Sequence, residues 1–143
     1  MANFKNFKDL EKYVNQMAKK AMNEGNGVKN VVIEAGKRHV QEDVYDVYTP
    51  NPNNPNSYKR TGELKNNWKS EPTADGIAVF NDRRDGDRYV AEIVETGQGY
   101  QYDFPYDGKA RPFTENTRKE LDGSSQLKDG LRKDLRNAGL DVN

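Results

Sequence analysis

Apolar residues first return at three- and four-residue steps: Phe4, Phe7, Leu10, Tyr13 and Val14, Met17 and Ala18, Ala21. That spacing draws one stripe along a helix, and Gly25-Asn26-Gly27 stops it. The stripe resumes through Val28, Val31, Val32, Ala35, Gly36, His39, Val40, Val44 and Val47. A second helix is predicted there, weakened by its β-branched residues. Its end, Val44 to Tyr48, fits an extended segment equally well. Residues 49–57 (TPNPNNPNS) hold three prolines and four asparagines with no apolar side chain. Proline fixes φ and drives the preceding residue out of the helical region, so a mobile loop is expected.

Beyond the loop the period shortens to two. Asn67 to Glu71, Gly76 to Asn81 and Tyr89 to Glu95 read as three short strands. Asp75-Gly76 is a hairpin signal, and Asn81 to Asp87 (NDRRDGD) reads as a longer polar turn. Sequential strands with short turns predict an antiparallel meander. Pro112 suits the first turn of a helix running through Phe113, Thr117 and Leu121. Gly123-Ser124-Ser125 interrupts it, and either serine can cap a further helix. Leu127, Leu131, Leu135 and Ala138 are the stripe of that helix, with Gly139 placed to end it. The expected organisation is one domain over 1–143. A helical region (3–47), the loop (49–58) and a sheet region (59–111) precede a C-terminal helical region (112–139). The fold class is α+β: N-terminal helices, an antiparallel sheet of three to four strands, and a C-terminal helix packed on it.

Composition makes the core lean. Of 143 residues 33% are hydrophobic and 32% charged, and the mean hydropathy is −1.14. Either a small core carries a very polar shell, or neighbouring subunits add to stability. Lys and Arg number 23, as do Asp and Glu, which leaves no broad electrostatic footprint for DNA or a membrane. Residues 1–60 carry ten basic and seven acidic side chains, residues 61–113 seven and ten. The first block is thus +3 and the second −3, an asymmetry able to orient subunits head to tail. Cysteine is absent, which removes disulfide and thiolate chemistry. No apolar run has membrane-helix length and Met1 to Leu10 has no signal-peptide character, so an intracellular chain is expected.

Catalytic patterns are poor. His39 is the only histidine, so a zinc site would need three carboxylates around one imidazole; on a valine-rich helical face it reads as a structural residue. Asp82, Asp85 and Asp87 lack the spacing and closing Glu of a calcium loop and read as a solvated turn. Gly97-Gln98-Gly99 lacks the third glycine and the lysine of a phosphate loop. Glu92 has no lysine two residues on to complete a nuclease pattern. No enzyme activity, cofactor or metal is expected.

Three signatures remain, in order: Tyr58-Lys59-Arg60-Thr61-Gly62-Glu63-Leu64, Val94-Glu95-Thr96-Gly97, and Arg111-Pro112-Phe113. Thr61 can cap a short helical turn, Gly62 permits a sharp bend, and Leu64 and Trp68 supply apolar surface beside the sheet. Over residues 4 to 122 the set resembles the small tail-completion or head–tail joining proteins of long-tailed bacteriophages. That resemblance implies a virion protein forming a ring, commonly of six copies, at the head-proximal end of the tail. Its partners would be further copies of itself, the major tail tube protein and the connector or head-completion protein. Tail terminator and head stopper are neighbouring readings, and a nucleic-acid-binding accessory protein is a reading from another class. The resemblance also puts a Glu followed by Gly at Glu95 and Gly97, opening an excursion. Glu95 is expected to accept backbone N–H bonds or to pair with Arg111, because an unpaired buried carboxylate is costly.

Within that excursion Tyr100, Tyr102, Phe104 and Tyr106 alternate with Gln101, Asp103 and Pro105. In extended conformation all four rings share one face, and Pro105 points to an edge. Three readings stay open: a hairpin folding back on its own sheet, an arm docking on a neighbouring subunit or another virion protein, and base stacking.

Overall fold

Asn6 starts the first helix by accepting a hydrogen bond from the Asp9 N–H at 2.9 Å, the cap that satisfies one of the unpaired donors of a first turn. The computed structural model describes residues 5–48, 53, 61–101 and 104–140. In chain order the elements are α1 (Phe7–Glu24), α2 (Gly27–His39), a π-helical turn (Val40–Tyr45), α3 (Glu63–Asn66), β1 (Trp68–Pro72), β2 (Ile77–Asn81), β3 (Arg84–Asp85), β4 (Arg88–Tyr89), α4 (Val90–Thr96), α5 (Phe113–Asp122) and α6 (Gln126–Asn137). The class is α+β, as expected. No helix among the described residues is long and apolar enough to cross a membrane.

The chain forms two compact units, neither continuous in sequence. One comprises Met1–Val32, Ser70–Val79 and Ser125–Asn143. Here α1 packs along α6, and Ala21 and Val28 are buried. Asp134, 1% exposed, accepts from the N–H groups of Gly27 at 2.7 Å and Val28 at 3.0 Å. A carboxylate distant in sequence thus caps α2 and meets the positive end of its dipole. The helices meet backbone to backbone here: a side chain on Gly27 would begin 2.1 Å from the Gly130 carbonyl oxygen. The far end of α6 closes as expected. Gly139 at φ 89° lets its N–H reach Arg136 O at 3.0 Å, while Leu140 N–H reaches Leu135 O at 2.9 Å. Ser125 precedes α6, although its hydroxyl makes no capping bond.

The other unit comprises Ile33–Lys69 and Phe80–Ser124. Its core gathers Val40, Val44, Tyr45, Leu64, Ala91, Val94 and Phe113, with Trp68, Tyr89 and Val90 packed against it. Asn81 is buried and bonded through both polar atoms of its side chain: its amide donates to Leu64 O at 2.5 Å and its side-chain oxygen accepts from Arg83 N at 3.0 Å.

Two expectations are corrected. The stretch Tyr89 to Glu95 is not a third strand, since α4 begins at Val90. The helix buries Ala91 and Val94, three residues apart, and ends at Gly97 with φ 75° and an N–H bond to Ile93 O of 2.8 Å. Tertiary burial overrides the β-branched propensity of Val90, Ile93 and Val94. The polar turn at Asn81 to Asp87 contains a tight hairpin, with Arg84 facing Tyr89 and Asp85 facing Arg88 around Gly86 at φ 60°. The sheet is therefore two separate two-stranded ladders, β1 with β2 and β3 with β4, rather than a continuous meander.

Candidate functional site

The described residues of the three signatures form structural corners of the second unit. Gly62 takes φ 80° ahead of α3, and Thr61 Oγ1 lies 3.4 Å from the Glu63 N–H, a long capping contact. Leu64 is buried. Trp68 joins the core edge-on to Phe113, ring centroids 6.2 Å apart, and donates its indole N–H to Lys65 O at 2.9 Å. Its neighbour from the C-terminal helices is thus the phenylalanine that follows Pro112. Tyr58, Lys59 and Arg60 lie outside the described residues, as do residues 49–57 apart from the exposed Asn53.

Glu95 and Arg111 part company. Glu95 Oε2 accepts from Thr114 N–H at 2.8 Å and Oε1 from Glu115 N–H at 3.0 Å. Pro112 supplies no side-chain cap to α5, so Glu95 satisfies two of the donors that helix would leave open. Gly97 lets the chain close behind it. Any Cβ there would lie 2.4–2.7 Å from the Lys109 backbone, and the Gly97 carbonyl accepts from Gly108 N–H at 2.7 Å. Phe113, fully buried, anchors the first turn of α5.

Arg111 turns instead to the aromatic residues. Its Nη2 donates to the Tyr100 hydroxyl at 2.8 Å, and Nη1 lies 3.5 Å from Val44 O. Its guanidinium carbon sits 4.7 Å from the Tyr106 ring centroid and 5.4 Å from that of Phe104. Tyr100 and Phe104 approach to 4.8 Å between centroids, and Tyr48 meets Phe104 edge-on at 5.0 Å. Tyr106 donates to Val47 O at 2.8 Å. The expectation of an extended arm with all rings on one face is thereby corrected. Phe104 is buried, a turn at Pro105 is closed by Asp107 N–H to Phe104 O at 2.9 Å, and the described rings fold onto their own unit. Tyr102 lies outside the described residues. Beside Arg111 is a cavity of about 100 Å³ with apolar walls that include Leu64, Val90 and Ile93. Arg83, Asp85 and Arg88 also line it.

Tyr48, Arg83, Arg88 and Asp134 escaped sequence reasoning. For Asp134 a signal existed: Gly130 and Asp134 stand four apart on one helical face, opposite two glycines in Gly25-Asn26-Gly27.

His39 has a structural setting. Its Nδ1 lies 2.7 Å from Asp43 Oδ2 and its Nε2 3.5 Å from Glu120 Oε1. Glu120 also binds Arg38, whose guanidinium holds the Glu120 carboxyl below its ordinary range. Asp82 is likewise lowered by hydrogen bonds from Lys69 and then Arg84.

The sequence matches the YomN family over residues 6–137. It is 35% identical, over 95% of its own length and 96% of the relative's, to the SPbeta prophage-derived uncharacterized protein YomN of Bacillus subtilis (strain 168). No solved structure matches it. With nearly its whole length covered by both matches, the chain belongs to the YomN family.

Proposed function

We propose that this chain is a non-enzymatic phage structural protein that completes the tail tube and joins it to the connector as a homo-oligomeric ring. The phage part of the reading is supported by a relative that is prophage-derived. The joining role is supported by the order of the three signatures.

One observation carries the assembly role. Helix α1 exposes an apolar stripe: Phe7 is 89% exposed, Val14 53%, Tyr13 41% and Leu10 38%. Covering a large apolar side chain stabilises by about 1.5–3 kcal/mol, and such a stripe on a charged chain is typical of a surface meant to be covered. A second copy is the expected cover, with the major tail tube protein and the connector or head-completion protein as further partners. The station is the neck end of the tail in the virion; tail terminator and head stopper are adjacent stations for the same chemistry.

The test is genetic. Disrupting the gene in an inducible lysogen should leave filled heads and finished tails unjoined in electron micrographs of the lysate. Normal joined particles would overturn the reading.

A further inference from the structure

We propose that the cavity beside Arg111 binds a carboxylate group. Arg111 is 7% exposed, yet among the described residues its hydrogen bonds go only to neutral oxygens, those of Tyr100 and Val44. Its Nε has no hydrogen-bond partner among the described residues. The one carboxylate predicted to pair with it, Glu95, is committed to two backbone N–H groups of α5. A buried guanidinium without an anion is a costly arrangement, and its fork of donors matches a carboxylate better than any other common group.

The cavity suits that ligand in size and in sign. About 100 Å³ is roughly three times the volume a water occupies in the liquid, enough for a carboxylate on a short aliphatic neck. Leu64, Val90, Ile93 and Val94 would cover the neck, while Arg111 meets the charge. Of the other charged residues in the lining, Arg83 is paired with Glu63 at 2.6 Å and Arg88 donates to Gly99 O at 3.2 Å. Asp85 is exposed on the β3–β4 hairpin. With Arg83 offset by Glu63, Arg111 and Arg88 against Asp85 still select an anion over a cation. The carboxylate can come from a free small acid or from an acidic side chain on a polypeptide. Neither source depends on the ring role above.

The test uses the full ¹⁵N-labelled chain and the Arg Nε–Hε resonances. Sodium isobutyrate should shift the Arg111 signal saturably, with a dissociation constant on the order of millimolar, while sodium chloride at equal ionic strength should not. Acetyl-Leu-Glu-Leu-amide is compared with its Gln counterpart. Tenfold tighter binding of the Glu peptide than of isobutyrate identifies a polypeptide source, and equal or weaker binding identifies a free acid. Ile93→Phe fills the cavity and leaves Arg111 in place, so it should abolish the shift with the far-ultraviolet spectrum unchanged. Asp85→Asn should tighten binding several-fold. No saturable shift with isobutyrate or the Glu peptide, a Gln peptide that shifts the Arg111 signal as strongly as a Glu peptide that binds, or wild-type binding by Ile93→Phe would each overturn the proposal.

Discussion

The Trp68 indole occupies the space where a side chain at Gly36 would begin: a Cβ there would sit 2.4 Å from Cη2 and 2.5 Å from Cζ2. Glycine costs a helix interior about 1 kcal/mol relative to alanine, and Gly36 is inside α2. The close approach of the ring offsets that cost by seating Trp68 against Phe113 and the core.

Gly36→Ala should therefore destabilise by about 1–3 kcal/mol, as overpacking does, despite its better helix propensity. Trp68→Ala should cost about 3 kcal/mol. In the Trp68→Ala background Gly36→Ala should become neutral or stabilising, a coupling that denaturant unfolding of the four proteins measures. Additive effects would place the ring elsewhere.

Glu95→Gln keeps one acceptor for the start of α5 and loses the charge, so about 1–2 kcal/mol should be lost. Because Glu95 serves helix N–H groups and Arg111 serves an aromatic cluster, Glu95→Gln and Arg111→Gln should add within about 0.5 kcal/mol. Strong coupling in a double-mutant cycle would restore the ion pair that the geometry replaces.

Asp134→Ala strands two buried N–H groups, each worth about 1–3 kcal/mol when left unsatisfied. Gly130→Ala brings a methyl to 2.9 Å from the Gly27 carbonyl oxygen and should cost about 1–3 kcal/mol through overpacking. Amide exchange at Gly27 and Val28 should rise by the largest factor in Asp134→Ala; unchanged protection there would refute the cap.

These carboxylate caps and the helices they close differ in how far the sequence reveals them. Phe113, Thr117 and Leu121 are spaced as a helix and are all buried, and Gly139 ends α6 as its position implies. Val90 to Thr96 misled because a seven-residue helix rich in Val and Ile carries no periodicity distinct from a buried strand; only Gly97 marked it as a helix end. The alternation of Tyr100, Phe104 and Tyr106 suggested an extended arm, although Pro105 and Asp107-Gly108 supply turn residues. The stripe from Phe7 to Val14 was legible as apolar, yet periodicity cannot say whether a face meets its own core or another molecule.

Acid should weaken the Arg38–Glu120 contact. The hydrogen bond from Arg38 outweighs burial and lowers the folded Glu120 value below 4.5. Its contribution is complete above 4.5 and is lost as pH falls through the lower folded value. Both side chains are substantially exposed, at 44% and 31%, so the effect should stay below about 1 kcal/mol. Glu120→Gln should flatten that part of the acid limb in thermal unfolding between pH 5 and pH 2, whereas an unchanged slope would exclude Glu120 as a contributor.

Assembly through the exposed face of α1 is tested most directly by mass in solution. Light scattering of the protein mixed with purified tail tubes should find the wild-type chain bound as a multiple of its 16.3 kDa mass. The Phe7→Ser, Leu10→Ser, Val14→Ser variant, folded by circular dichroism, should remain a 16.3 kDa monomer free of the tubes. A wild-type chain that stays monomeric and unbound, or a triple variant that assembles as the wild type does, would contradict the assembly role.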